Sequence, residues 1–129
     1  MTIMALDIGL KRVGVAISFN KNIVTPLKAI IRKNRSQASS EVKNILIEWD
    51  IEKLVVGIPI DSPNSDEMKR RFEHFVNLIG FGGEVVYQDE TMSSFEAKEL
   101  MRGEIKEKKD GRIDSLSAKI VLERYLETI

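Results

Sequence analysis

Three acidic residues occupy positions from which their carboxylates could share one chemical task. Asp7 lies near the end of the apolar run MALDIGL, and a charge in a buried strand is costly unless it is paired or holds a metal. Glu90 follows another strand-like segment, and Asp114 stands where a final helix begins. Carboxylate oxygens suit a hard cation such as Mg²⁺ or Mn²⁺, which shares its remaining coordination sites with water and phosphate. The matching chemistry is metal-assisted hydrolysis of a phosphodiester.

Each of these carboxylates also has an ordinary structural interpretation. Asp7 could accept hydrogen bonds from the amides of the turn that follows it, and Glu90 could be a favourable anion near a helix N-terminus. Asp114, taken alone, is best explained as a helix N-cap. None of these interpretations explains why all three would meet at one end of a sheet. Asp89 is a weaker candidate ligand than Glu90, because neighbouring side chains of a strand point to opposite faces.

The composition narrows the classes of protein to which the chain could belong. It has 129 residues, 43% hydrophobic and 31% charged, which predicts a single domain over residues 1–129. Cysteine is absent and His74 is the only histidine, so thiolate chemistry and multi-histidine metal sites are excluded. No apolar stretch is long enough to cross a membrane, and the N-terminal segment is typical of a strand rather than a signal peptide. We therefore expect a cytoplasmic protein with no membrane partner.

The apolar pattern predicts a run of strands followed by alternating helices and strands. Short apolar segments predict five strands, at residues 2–8, 13–18, 23–31, 53–60 and 84–88. Helical spacing predicts helices over residues 40–49, around 68–79, over 93–101 and over 114–129. Short turns make the first three strands an antiparallel meander, whereas each strand–helix–strand unit implies parallel pairing. The expected fold is α/β, a five-stranded mixed sheet of this meander plus two parallel strands, with helices on both faces.

This arrangement brings the three carboxylates to one end of the sheet. The first strand is central because both the meander and the parallel half must attach to it, and Pro26 assigns the third strand to an edge. In open α/β sheets, ligands collect at the carboxyl ends of the strands. We therefore expect Asp7, Glu90 and Asp114 to lie close together.

Local basic residues must hold any polyanionic ligand, because 20 Lys and Arg residues balance 20 Asp and Glu residues. Basic residues follow Asp7 in the first turn, and a charged loop leads into Asp114. The candidate nucleic-acid contacts are Lys11, Arg12, Lys106, Lys108, Lys109 and Arg112. Four other residues, Lys69, Arg70, Arg71 and His74, are interpreted as the solvent face of their helix. Trp49 is interpreted as core packing.

Four segments of the chain together resemble the successive motifs of the YqgF/RuvX family. They are MALDIGLKRVGVAIS, KLVVGIPID, VVYQDETMSSFEAKELM and GRIDSLSAKIVLERYLE. This family comprises RNase H-like proteins described as Holliday junction resolvases and as nucleases that process the 5′ end of pre-16S rRNA. The resemblance implies an RNase H-like fold and a catalytic, metal-binding role for Asp7, Glu90 and Asp114. Two features depart from the family pattern: Thr91 stands where arginine is usual, and the segment 61–64 replaces an Asn-containing, Gly-bearing loop.

The expected function is that of a metal-dependent endonuclease that hydrolyses phosphodiester bonds in structured nucleic acid, with Mg²⁺ or Mn²⁺ as cofactor. The resemblance favours 5′-end processing of pre-16S rRNA, with ribosomal particles as partners, over resolution of a Holliday junction in branched DNA. Such a protein would act as a monomer or a homodimer. A non-catalytic nucleic-acid-binding adaptor is an alternative, favoured by Thr91 and the neutral net charge. A nucleotide-binding ATPase is another, although this chain supplies only one of the two halves that clamp a nucleotide in such proteins.

Overall fold

A five-stranded sheet forms the centre of the computed structural model, which describes residues 1–60, 63–91, 93–101 and 111–129. The strands are β1 (Ile3–Ile8), β2 (Arg12–Ser18), β3 (Thr25–Ile31), β4 (Lys53–Ile58) and β5 (Glu84–Asp89). Their order is β3-β2-β1-β4-β5, with antiparallel pairing from β3 to β1 and parallel pairing from β1 to β5. The predicted mixed sheet, the central first strand and the position of Pro26 on an edge strand are therefore confirmed.

Four helices surround the sheet within the described residues: α1 (Arg35–Glu48), α2 (Ser65–Ile79), α3 (Ser93–Met101) and α4 (Arg112–Leu126). The first of them begins earlier than the predicted residue 40. Asn34 caps it by accepting a hydrogen bond from the Gln37 backbone, while the Gln37 side chain accepts one from the Asn34 backbone. This capping box satisfies amides of the first turn, so a segment without apolar residues still starts a helix.

The helices cover both faces of the sheet, as predicted. One core cluster joins the sheet to α1 and α2, and the other joins it to α4. Alternation along β1 assigns Met4, Leu6 and Ile8 to the first cluster, whereas Ile3 and Ala5 belong to the second. Because side chains alternate between the two faces of a strand, the Asp7 side chain lies on the face that α4 covers.

Trp49 is not the core residue that its helical spacing predicted. It is the C-cap of α1 and remains 38% exposed, with its ring centroid 5.5 Å from that of Phe19. The apolar stripe of α1 reaches the core at Val42 and Leu46, but Trp49 lies beyond the last turn, where the helix leaves the sheet. His74 is exposed, as expected. No helix in the described part of the chain is long and apolar enough to cross a membrane.

Candidate active site

Asp7 is held in place by a central, mostly buried strand of the sheet. It lies near the carboxyl end of β1 and pairs with Gly14 of β2 in the antiparallel register. Five of the six residues of β1 are buried, and Asp7 is the partly exposed one. The strand therefore fixes the Asp7 backbone, while the Asp7 side chain remains partly exposed.

Gly14 is the residue that lets α4 approach Asp7. A Cβ atom at this position would overlap the backbone carbonyl of Asp114, so only glycine permits this contact. The buried Ser115 hydroxyl accepts a hydrogen bond of 3.2 Å from the Val15 amide and ties the helix to β2. These contacts bring the first turn of α4 beside the end of β1.

Asp114 lies in that first turn and is not an N-cap. The cap residue is Gly111, which has a φ of 93°, and the helix begins at Arg112. The Asp114 carboxylate accepts a 2.7 Å hydrogen bond from Arg12 Nε, and these two side chains are 25% and 26% exposed. Arg12 therefore binds the site carboxylate directly, whereas the sequence interpretation assigned it to nucleic acid alone.

Glu90 follows directly after β5, the edge strand that β4 separates from β1. Its backbone amide donates a 2.8 Å hydrogen bond to the Ile58 carbonyl, which extends the pairing of β4 with β5 by one residue. Gly57 of β4 leaves the space that the side chain occupies, since a Cβ atom there would lie 3.1 Å from Glu90 Oε2. The Glu90 carboxyl group then forms a hydrogen bond with that of Asp7.

Burial and this contact change the acidity of both groups. Burial, the hydrogen bond with Asp7 and the nearby acidic charges raise the pKa of Glu90 to about 9. Burial also raises the pKa of Asp7, and the negative charge of Asp114 adds to that increase, although the bond with Glu90 opposes it. Without a cation, the Glu90 carboxyl group is therefore protonated at neutral pH and donates its proton in the hydrogen bond with Asp7.

The structure brings Asp7 and Glu90 together, but the described residues do not form the predicted close group of three carboxylates. Asp7 and Glu90 are in direct contact, and Asp114 acts on Asp7 through its charge. Within the described ranges, no three acidic or histidine side chains are grouped closely enough to hold one metal ion. Asp114 is instead paired with Arg12.

Asp89 has a structural role rather than a place among these carboxylates. Its Oδ1 atom accepts hydrogen bonds from the Thr91 amide at 2.9 Å and from the Thr91 hydroxyl at 2.6 Å. Burial alone would raise the pKa of Asp89, but these hydrogen bonds lower it below its usual range. The turn that follows Glu90 is therefore held by the threonine that replaces the usual arginine.

Arg124 is a basic residue at this turn that sequence reasoning missed. It projects from α4 and donates hydrogen bonds to the carbonyls of Thr91 at 2.9 Å and Asp89 at 3.4 Å, on either side of Glu90. It also pairs with Glu96 of α3 at 2.7 Å. The sequence places Arg124 in the last turn of a helix but does not predict this contact, because the contact depends on how α4 packs against the sheet.

Two of the remaining basic residues that were predicted to contact nucleic acid lie near the carboxylates. Lys11 is exposed in the turn after β1, and Arg112 is exposed at the start of α4. Both lie at the end of the sheet that carries the carboxylates. Lys106, Lys108 and Lys109 lie outside the described residues.

Comparison with solved structures identifies the fold as that of the RNase H-like Holliday junction resolvases. A structure described as Thermus thermophilus RuvC in complex with Holliday junction substrate matches 99% of this chain and 94% of its own, with a TM-score of 0.64 and 14% identity. The fowlpox virus Holliday junction resolvase matches over 100% of both chains, with a TM-score of 0.56 and 17% identity. These likenesses concern the fold.

Sequence comparison then gives the particular family. The family model described as "RuvX: Holliday junction resolvase" matches residues 1–128. A Sulfurimonas denitrificans protein named "Putative pre-16S rRNA nuclease" is 58% identical over 98% of this chain and 97% of its own length. A Campylobacter lari protein of the same name is 51% identical over 97% of both. The chain belongs to the RuvX family of nucleases.

Proposed function

We propose that this protein is a metal-dependent endonuclease that cleaves phosphodiester bonds in structured nucleic acid, and that its substrate is the 5′ region of pre-16S rRNA. The observation that carries this proposal is the direct contact of Asp7 with Glu90 at the carboxyl end of the sheet, with Asp114 beside them. Two buried acidic side chains in mutual contact are costly for folding, so a purely structural role does not explain Asp7 and Glu90.

The residues at this point fit a divalent cation. Asp7 and Glu90 share a proton that a cation would replace, and both offer the oxygen ligands that Mg²⁺ and Mn²⁺ prefer. Asp114 would join them by exchanging its ion pair with Arg12. When bound, the metal would supply the Lewis acidity that activates water and stabilises charge on the phosphate.

The remaining steps depend on side chains of this chain. Release of Asp114 by Arg12 would leave a guanidinium beside the site, where it can bind a phosphate oxygen of the substrate. Arg124 holds the backbone on both sides of Glu90 and so keeps that carboxylate directed toward Asp7. Lys11 and Arg112 are exposed at the same end of the sheet and would contact neighbouring phosphates without reading sequence.

The relatives' names favour RNA over branched DNA as the substrate. Two full-length relatives are named as pre-16S rRNA nucleases, whereas the family description and the solved structures refer to Holliday junctions. We assign the protein to the cytoplasm, where precursor ribosomal particles are assembled. Resolution of branched DNA is the second candidate function, since the fold is shared with resolvases.

A cleavage assay tests both functions at once. The purified protein is incubated with precursor 16S rRNA, a four-way DNA junction and single-stranded RNA, each in Mg²⁺, in Mn²⁺ and in EDTA. We expect cleavage of the precursor rRNA near its mature 5′ end in metal and no cleavage in EDTA. Cleavage of the junction alone would assign the second function. Tight binding without cleavage under all conditions would identify a non-catalytic adaptor and contradict the proposal.

The close approach at Gly14 gives a second prediction. Gly14→Ala must move the first turn of α4 away from β2, which separates Asp114 from Asp7. We expect cleavage to fall by at least about tenfold and stability to fall by roughly 1–3 kcal/mol, the usual cost of an overpacked site. Gly82→Ala is the matched control, because a Cβ atom at Gly82 meets nothing within 4 Å. Equal cleavage by both variants would contradict the role given to Asp114.

A further inference from the structure

A cavity of about 360 Å³ opens beside the carboxyl end of β1, on the face that α1 and α2 cover. We call it the arginine pocket. Its apolar lining comes from Ile8, Leu10, Met68, Phe72 and Phe75. Its charged lining, within the described residues, comes from Arg32, Arg35, Arg71 and Glu67. Arg71 is exposed on the solvent face of α2, as predicted, and it also borders this pocket.

Three arginines line this pocket, and two of them, Arg32 and Arg35, lie near enough for their charges to interact. Arg32 Nη1 donates a 2.6 Å hydrogen bond to the Gly9 carbonyl, and its guanidinium lies 5.1 Å from the centroid of the Phe75 ring. Burial lowers the pKa of Arg32, and the positive charge of Arg35 lowers it further. Because like charges held together destabilise a fold, this arrangement suits an anion that would offset them.

The shape of the pocket favours a nucleotide over a bare phosphate. An inorganic anion needs only charge, whereas the apolar lining provides a surface on which a base can pack. Leu10 is 85% exposed at the mouth, where it would contact such a base. The volume is also in the range of small-ligand sites.

The pocket also has a fixed relation to the carboxylates. Gly9 lines it and lies two residues from Asp7, at most about 7 Å between Cα atoms, while the Asp7 side chain turns to the opposite face of the sheet. A second depression of about 390 Å³ shares Arg35, Glu67 and Arg71 and adds Arg70 and His74. A basic path therefore leads outward from the pocket along α2.

From these features we propose that the arginine pocket binds one unpaired nucleotide of the substrate, near the phosphate that is cleaved. Its phosphate would pair with Arg35 and Arg71, and its base would pack against Leu10 and Met68. This proposal rests on the nuclease function, and it adds that the preferred substrate contains an unpaired nucleotide close to the cleavage position, held on the other face of the sheet. Fully paired duplexes would then be poor ligands.

Binding measured without metal tests the pocket separately from cleavage. A fluorescent single-stranded RNA of eight nucleotides is titrated with the full chain in EDTA, and its dissociation constant is compared among variants. We expect Arg35→Ala and Arg71→Ala each to weaken binding by about tenfold, the usual effect of losing a charged hydrogen bond. Glu67→Gln removes the carboxylate that pairs with Arg71 at 2.8 Å, so it should strengthen binding. Lys43→Ala, an exposed position on α1 outside the pocket, is the matched control.

Competition then separates a nucleotide site from a plain anion site. We expect uridine monophosphate to displace the RNA at concentrations where inorganic phosphate does not, and Met68→Ala to reduce this difference. Equal displacement by both would overturn the assignment of a nucleotide. Arginine variants that bind as tightly as Lys43→Ala would overturn the pocket as a site, whatever the outcome of the cleavage assay. Thermal melts of the variants confirm that each chain is folded, which is expected because Arg35 and Arg71 are exposed.

Discussion

Asp7→Asn should abolish cleavage while leaving the metal-free protein as stable as the wild type or more stable. Asn retains the size of Asp7 and can still form a hydrogen bond with Glu90, but it removes one of the charges that crowd the site. Relief of that repulsion should raise the Tm in EDTA by a few degrees. For a chain of this size, a gain of about 1 kcal/mol in the free energy of unfolding corresponds to roughly 3–6 °C in Tm. With metal present, loss of a charged ligand should reduce the rate by at least about 100-fold.

The opposite signs of these two effects distinguish a functional carboxylate from a structural one. A turn or cap aspartate would lose ~0.5–2 kcal/mol of stability when it is replaced. Asp50→Asn is the control, because Asp50 is an exposed aspartate with a φ of 52° that Asn adopts readily. Thermal melts with and without Mg²⁺ make the comparison, and the metal should raise the Tm of the wild type but not of Asp7→Asn. An Asp7→Asn protein that melts lower in EDTA and still cleaves would return Asp7 to a structural role.

The metal-free protein should lose stability as the pH rises from about 5 to 9. Glu90 has a pKa of about 9 in the folded protein and an ordinary value of 4.5, so the folded state binds this proton more tightly than the unfolded state. The stabilising effect is complete below the unfolded pKa and is lost as the pH passes through the folded one. The slope has an upper limit of about 1.4 kcal/mol per pH unit for each proton released. Urea denaturation in EDTA across this pH range measures it.

Glu90→Gln should flatten this pH dependence because glutamine keeps a hydrogen-bond donor without a titratable proton. Glu48→Gln, at an exposed position of α1, controls for loss of a carboxylate elsewhere. Added Mg²⁺ should stabilise the wild type more at pH 9 than at pH 6, since a cation competes with the shared proton. If Glu90→Gln retains the wild-type slope, the proton is not shared between Glu90 and Asp7.

The sheet could be predicted from the sequence because its signals are local. Apolar runs joined by short turns specify the meander, and Pro26 identifies the edge. The position of Asp7 at the end of a central strand followed from that order alone. The start of α1 was missed because its signal is a polar capping box, Asn34 with Gln37, that contains no apolar residue.

The finer geometry of the site depends on residues that are far apart in the chain. Arg12 and Asp114 are separated by 102 positions, and no local pattern indicates that they form an ion pair. Arg124 reaches the turn after Glu90 from 33 positions away only because α4 packs against the sheet as it does. Sequence reasoning could therefore place Asp7 and Glu90 at one end of the sheet, but it could not predict the arginine side chains that pair with Asp114 and with the turn at Glu90.

The strand order also determines how the site would come apart under thermal fluctuation. β1 has a hydrogen-bonded neighbour on each side, whereas β5 has one neighbour and only intermediate burial in the described structure. Amides of a central strand exchange with solvent mainly through global opening, and those of an edge strand also exchange through smaller, more frequent openings. Asp7 therefore belongs to the last part of the molecule to open, and Glu90 to one of the first. We therefore expect transient loss of the site to begin with departure of Glu90, while Asp7 stays in place.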